Sequence, residues 1–142
     1  MEKKAKAPRV ISDTTLDRYL GAILALRQRL PIVRSVDVAN HLGNSKACVS
    51  MALKQMTFQQ LVQVGPHGAL LLTEGGERRA IAHRDSFRYF HRLLVLSGVA
   101  DSDARAEAAA LTRALSRNSF EALQSYLVGM GVVAGQETAS RE

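Results

Sequence analysis

The sequence predicts a mainly α fold in which an N-terminal winged helix-turn-helix unit is followed by a helical dimerisation domain. Three observations predict it. Two short helical patterns over residues 35–56 meet at Gly43; two β-capable runs flank Gly65-Pro66-His67-Gly68; and a long helical pattern from about Glu74 to Leu96 leads into two more. With 142 residues, 46% apolar and 23% charged, the chain can build one core or two small ones and lies outside fibrous and disordered compositions.

The elements follow in order. Lys3, Lys4, Lys6 and Arg9 stand against Glu2 with almost nothing apolar to bury, so residues 1–12 read as a basic flexible arm. Asp13 or Thr14 then caps a first helix, with Leu16, Tyr19, Leu20, Ile23, Leu24, Leu26 and Leu30 at helical spacing until Pro31. Ser35 caps a second helix that buries Val36, Val38, Ala39 and Leu42, and Gly43 supplies the left-handed turn that ends it. Asn44 or Ser45 opens a third. Its Val49, Leu53 and Met56 share one face, which leaves Lys46, Ala47, Ser50, Met51 and Lys54 on the other.

Leu61–Val64 and Ala69–Leu72 form a hairpin, the wing. Thr73 caps the long helix, whose first turn Gly75 and Gly76 weaken by about 1 kcal/mol each relative to alanine. Asp101 or Ser102 starts a helix through Ala104, Ala108, Leu111 and Leu115. Asn118 with Glu121 gives a capping-box-like start to a last one through Leu123, Tyr126 and Leu127. The winged unit thus spans residues 13–74, the linking helix and dimerisation domain 75–130, and a flexible tail 131–142. The apolar faces after Ala104 have too little of their own chain to cover them, which implies a homodimer.

Nineteen Lys+Arg against thirteen Asp+Glu leave a net charge of +6, which favours a polyanion or an acidic surface as partner. The single cysteine, Cys48, makes no internal disulfide. There is no cleavable secretory start and no apolar run of about 18 residues, so a soluble cytoplasmic protein without membrane contact is expected. No Gly-rich phosphate loop, Gly-x-Ser-x-Gly elbow or His-Glu-x-x-His occurs, and the four histidines are scattered, so an enzyme is not expected.

A winged helix presents the outer face of its third helix to the DNA major groove, where each base pair has its own donor and acceptor pattern. Lys46, Ser50 and Lys54, with Ala47 and Met51 between them, are the candidate reading or phosphate-gripping side chains. Ser45 is placed for a phosphate at the helix N-terminus. His67 at the wing tip is either a minor-groove or phosphate contact or a plain turn residue. Arg84, Arg88 and Arg92 recur every four residues as a solvated stripe, or as a seat for an anion or an acidic partner chain.

In order and spacing, Tyr19-Leu20 through Leu26, Val36-x-Val38-Ala39-x-x-Leu42, Val49-Ser50, Leu70-x-Leu72-Thr73-x-x-Gly76 and Leu93-Leu94-x-x-x-Gly98-Val99 form a recognisable series. With it the chain resembles the diphtheria-toxin-repressor family of metal-dependent transcriptional regulators, in particular its short manganese-transport-regulator branch, over about residues 14 to 128. The resemblance implies a dimer on a pseudo-palindromic operator, activated by Mn²⁺ or Fe²⁺ between its domains.

The family's ligand positions fall here on Arg18 and Gly21, on Phe87, and on Ala109, Thr112 and Arg113. None suits a hard or borderline divalent cation, which takes carboxylate and imidazole donors. Helical rotation turns Asp17 and Glu107 away from those places, and His83 and His91 stand about 12 Å apart along one helix, too far to chelate one ion. No cofactor is therefore expected. The sequence predicts a sequence-specific DNA-binding regulator that acts without metal, with Arg18 and Arg113 fixing the interdomain geometry through nearby carboxylates or carbonyls. The alternative is a protein-interaction module that binds or heterodimerises with another regulator.

Overall fold

The computed structural model describes residues 10–132; the basic residues Lys3 to Arg9 and the tail beyond residue 132 lie outside the described residues. Within them the order is α1 (Asp13–Leu26), α2 (Ser35–Leu42), α3 (Lys46–Phe58), β1 (Val62–Val64), β2 (Leu70–Leu72), α4 (Glu74–Leu96), α5 (Asp101–Ala114) and α6 (Arg117–Gly129). The fold is mainly α with a winged helix-turn-helix at its N-terminal end. No helix among the described residues is long and apolar enough to cross a membrane.

Apolar side chains surround α1 on most sides: Leu16, Tyr19, Leu20, Ala22, Ile23, Leu24 and Leu26 are all buried. Against them pack Val38 and Ala39 of α2, Val49, Ala52 and Met56 of α3, Leu61, Val62 and Leu70 around the wing, and Ala80 of α4. Each large aliphatic group buried there contributes about 1.5–3 kcal/mol. A second cluster joins Tyr89 and Phe90 of α4, Ala108 of α5 and Phe120 of α6. Its rings meet edge to face, Phe90 and Phe120 at 5.4 Å and Tyr89 and Phe120 at 5.5 Å between centroids. Helix α4 runs unbroken through both clusters.

Helix starts differ from the sequence reading where several capping residues stand in a row. Ser12 caps α1, its hydroxyl accepting the Thr15 N–H at 3.3 Å, so Asp13 and Thr14 are already helical. Ser35 is likewise inside α2, and the Asp37 carboxylate accepts the Arg34 N–H at 2.9 Å. Ser116, not Asn118, caps α6, accepting the Ser119 N–H at 3.1 Å. Any short side chain in extended backbone can reach the amide three residues on, so local sequence leaves the choice open. Val36 is 45% exposed where burial is expected, because two residues along a helix turn it about 200° from buried Val38.

Gly43 ends α2 with φ +70°, and the Asn44 N–H reaches back to the Ala39 carbonyl at 3.0 Å. The Asn44 side chain then donates to the Tyr19 hydroxyl at 2.7 Å, which ties the turn to α1. In the wing, Val62 pairs with Leu72, Gln63 with Leu71 and Val64 with Leu70 in antiparallel register. The Leu70 N–H also donates to the Val33 carbonyl at 2.8 Å, fastening the wing to the α1–α2 loop. Thr73 caps α4, its hydroxyl accepting the Gly76 N–H at 3.0 Å and donating to the Gln60 carbonyl at 2.7 Å. Gly76 itself lies buried against the Leu61 carbonyl, and a Cβ there would fall on that oxygen. This close approach, not helix propensity, dictates glycine at position 76.

Candidate nucleic-acid interface and the interlobe contact

The turn at Gly43 and the wing leave one face of α3 uncovered. Ser45 caps the helix by accepting the Cys48 N–H at 3.1 Å, so the hydroxyl placed by sequence for a phosphate is engaged as a cap acceptor and keeps its own proton for donation. Val49, Ala52 and Met56 are buried, while Lys46, Ala47, Cys48, Ser50, Met51 and Lys54 are exposed. Ala52 joins the buried face beyond the Val49, Leu53 and Met56 that the spacing marks, and its small side chain lets α3 settle closely on the core. No acidic residue occurs in α3, and neither Lys46 nor Lys54 has an ion-pair partner among the described residues. The face is therefore cationic, with short polar and apolar groups between its charges. His67 is exposed at the wing tip, with φ +61°.

The six positions that the family resemblance marks between the lobes are not brought together as a set of donors. Gly21 and Phe87 line one groove, Thr112 lines a different cavity, Ala109 is half-buried and Arg113 is exposed. The Thr112 hydroxyl is buried and donates to the Ala108 carbonyl at 2.7 Å. Among the described residues no group of three or more His, Cys, Asp or Glu side chains is placed to hold a metal ion.

The residue that meets Gly21 is His83, which the sequence relates only to His91 on the same helix. A Cβ at position 21 would come within 2.8 Å of its Cδ2, so the glycine makes room for the ring. Burial holds this imidazole below its ordinary pKa; Asp17 opposes that, while Arg18, Arg113 and Arg117 add to it. A neutral imidazole among arginines thus stands in the contact between α1 and the later helices. The signal available in sequence was Gly21 itself, a glycine inside an otherwise strong helix.

Direct ties between α1 and α4 come from other arginines than those expected. Arg79 Nε donates to Asp17 Oδ1 at 2.7 Å, both side chains 29% exposed, and its Nη2 donates to the Asp13 carbonyl at 3.2 Å. Arg27 clasps Glu77 with bonds of 3.1 and 2.7 Å, and these hold the Glu77 carboxyl below the usual carboxylate range. Arg18 and Arg113, by contrast, have no carboxylate or carbonyl partner among the described residues, which corrects the expectation that they brace the lobes. Rotation explains it: Asp17 faces α4, and Arg18 lies about 100° further around α1.

Arg79→Met is accordingly expected to lower the unfolding free energy in urea by about 1–2 kcal/mol, since it leaves a partly buried carboxylate unpaired. Arg113→Ala should stay within about 0.5 kcal/mol of the parent. Equal loss in both variants would return the bracing role to Arg113.

No protein-family model matches the sequence. The chain is 27% identical over 111 residues to the transcriptional regulator MntR of Escherichia coli O157:H7, covering 78% of this chain and 72% of that one. The manganese regulator SloR has a similar structure, with a TM-score of 0.68 at 23% identity over 89% of this chain. So does a manganese-dependent transcriptional repressor in complex with manganese, TM-score 0.68 at 26% identity over 80% of this chain. The chain spans 63% and 52% of those two chains, respectively.

Proposed function

Since the chain is a member of the diphtheria-toxin-repressor and manganese-transport-regulator family, we propose that it is a dimeric, sequence-specific DNA-binding transcriptional regulator whose binding needs neither Mn²⁺ nor Fe²⁺. The observation that carries the DNA-binding reading is the acid-free cationic face of α3 beside the wing, whose lysines have no ion-pair partner among the described residues. In this reading Lys46 and Lys54 neutralise phosphates, Ser50 hydrogen-bonds base edges or phosphate, and Ala47 and Met51 offer apolar contact to a thymine methyl. Ser45 and His67 contribute phosphate contacts at the helix start and the wing tip. Residues 13–74 form the reading unit, and 75–130 the linking helix and dimerisation domain. Leu96, Leu123, Tyr126 and Met130 are exposed on the later helices and suit a second copy of the chain.

The metal-free part of the proposal rests on donor chemistry. A hard divalent cation needs several carboxylate or imidazole donors on one centre; the corresponding positions carry Arg18, Gly21, Phe87, Ala109, Thr112 and Arg113. The fixed guanidinium charges of Arg18, Arg113 and Arg117 near His83 repel a cation there. The residues present do not fit Mn²⁺ or Fe²⁺.

Fluorescence titration with genomic DNA fragments, run in EDTA and in added Mn²⁺, tests both parts. Saturable, sequence-selective binding that differs by less than about twofold between the two conditions is expected. An affinity that rises steeply with Mn²⁺ would overturn the metal-free part. Absence of selective binding under every condition would overturn the regulator and favour a protein-interaction module.

A further inference from the structure

A cavity of about 400 Å³ opens between α1, α4 and the α5–α6 turn, and its polar groups are incompletely partnered. His83 lines it, largely buried, with no hydrogen-bond partner for its ring nitrogens among the described residues. Among the described residues the Ser86 hydroxyl, 7% exposed as a residue, meets only the Arg117 guanidinium, at 3.3 and 3.4 Å, which is long for such a contact. Thr112 also lines the space and gives its proton to the Ala108 carbonyl, which leaves its oxygen as an acceptor.

The charges on the two walls differ. On the α1 side, Arg79 is matched by Asp17 at 2.7 Å, while Asp13 stands at 3.7 Å with its side chain 82% exposed to solvent. On the α6 side, Arg117 reaches Glu121 only at 3.5 Å and lies over the Phe120 ring at 5.0 Å. Phe90, Leu115 and Phe120 supply an apolar lining. The volume lies at the small end for a ligand pocket, and one incompletely matched cation beside an aromatic surface calls for one negative charge on a flat apolar body.

We propose that this cavity binds a small organic monocarboxylate, with its carboxylate on Arg117 and Ser86 and its apolar body against Phe90, Leu115 and Phe120. Because the walls come from α1 and from α4–α6, the ligand bridges the first part of the chain to the last. This goes beyond DNA recognition and is tested without DNA, so the fate of either proposal leaves the other standing.

The full chain is assayed by thermal unfolding and calorimetry with benzoate and phenylacetate, their amides, and inorganic phosphate, each to about 10 mM at matched ionic strength. At roughly ten times its dissociation constant a carboxylate is expected to raise Tm by about 4 °C, with the amides and phosphate giving less than about 1 °C. Arg117→Gln should weaken carboxylate binding at least about tenfold, and Ser86→Ala, which disturbs the fold less, about threefold. The proposal is overturned if no carboxylate binds, if phosphate or the amides bind as well, or if both variants bind as the parent does.

Discussion

Gly76→Val is expected to lower the unfolding free energy by about 4 kcal/mol or more, against the ~5–15 kcal/mol that holds a domain of this size together. Position 76 is buried at the exit from the wing, and the atom in the way of a side chain is the Leu61 carbonyl oxygen. That carbonyl has no freedom to retreat, since it accepts the Thr73 N–H at 3.0 Å while the Thr73 hydroxyl holds the neighbouring Gln60 carbonyl. Helix α4 must therefore move off the wing, opening the first cluster at Ala80. Gly75 is the natural control. A Cβ there meets Arg78, Thr73 and Leu61 side-chain atoms at 3.9–4.0 Å, ordinary contact, so Gly75→Ala should stabilise by up to about 1 kcal/mol. Urea midpoints of the two variants, moving in opposite directions, are the measurement; a Gly76→Val midpoint equal to the parent's would refute the crowding argument.

A second large effect concerns binding. The double variant Lys46→Glu/Lys54→Glu should lose at least about a hundredfold in DNA affinity at physiological salt, and the slope of log affinity against log salt should become shallower by about 2. Both lysines are exposed and without ion-pair partners among the described residues, and a glutamate in the first turn of α3 is favoured by the helix dipole. Tm should accordingly stay within about 2 °C of the parent's. Anisotropy titrations at several salt concentrations, paired with thermal unfolding, separate lost contacts from lost structure. Unchanged affinity and slope would remove α3 from the interface.

Much of the fold was legible because its signals are local and redundant. The apolar spacing of α1, Gly43 with positive φ, the Gly-Pro-His-Gly turn and Thr73 ahead of a long helical pattern each point to one element by themselves. The exposed face of α3 was legible for the same reason, being the complement of Val49 and Met56. The caps of α1 and α6 stand one or two positions from those the sequence predicts, since adjacent Ser, Thr, Asn and Asp compete for the same amides; the N-cap of α2 falls one residue earlier than predicted, at Arg34, whose side chain makes no capping bond. What local pattern does not carry is which side chains meet across the fold. The rotation that excludes Asp17 as a metal ligand aims it at Arg79, 62 residues away in sequence. His83 over Gly21 is another such pairing, and Gly76 under the Leu61 carbonyl a third; in both, the glycine was visible in the sequence and its neighbour was not.

The continuity of α4 has a geometric corollary. Ala80 is anchored in one cluster and Tyr89 and Phe90 in the other, with no break in the 23-residue helix between them. Adding or deleting one residue in that interval would advance or retract everything beyond by about 1.5 Å and spin it by about 100°, like a screw out of phase with its thread. An insertion in this interval would keep the thread in phase only in steps of nearly a full pitch, and the angular setting of one cluster against the other is written in a residue count.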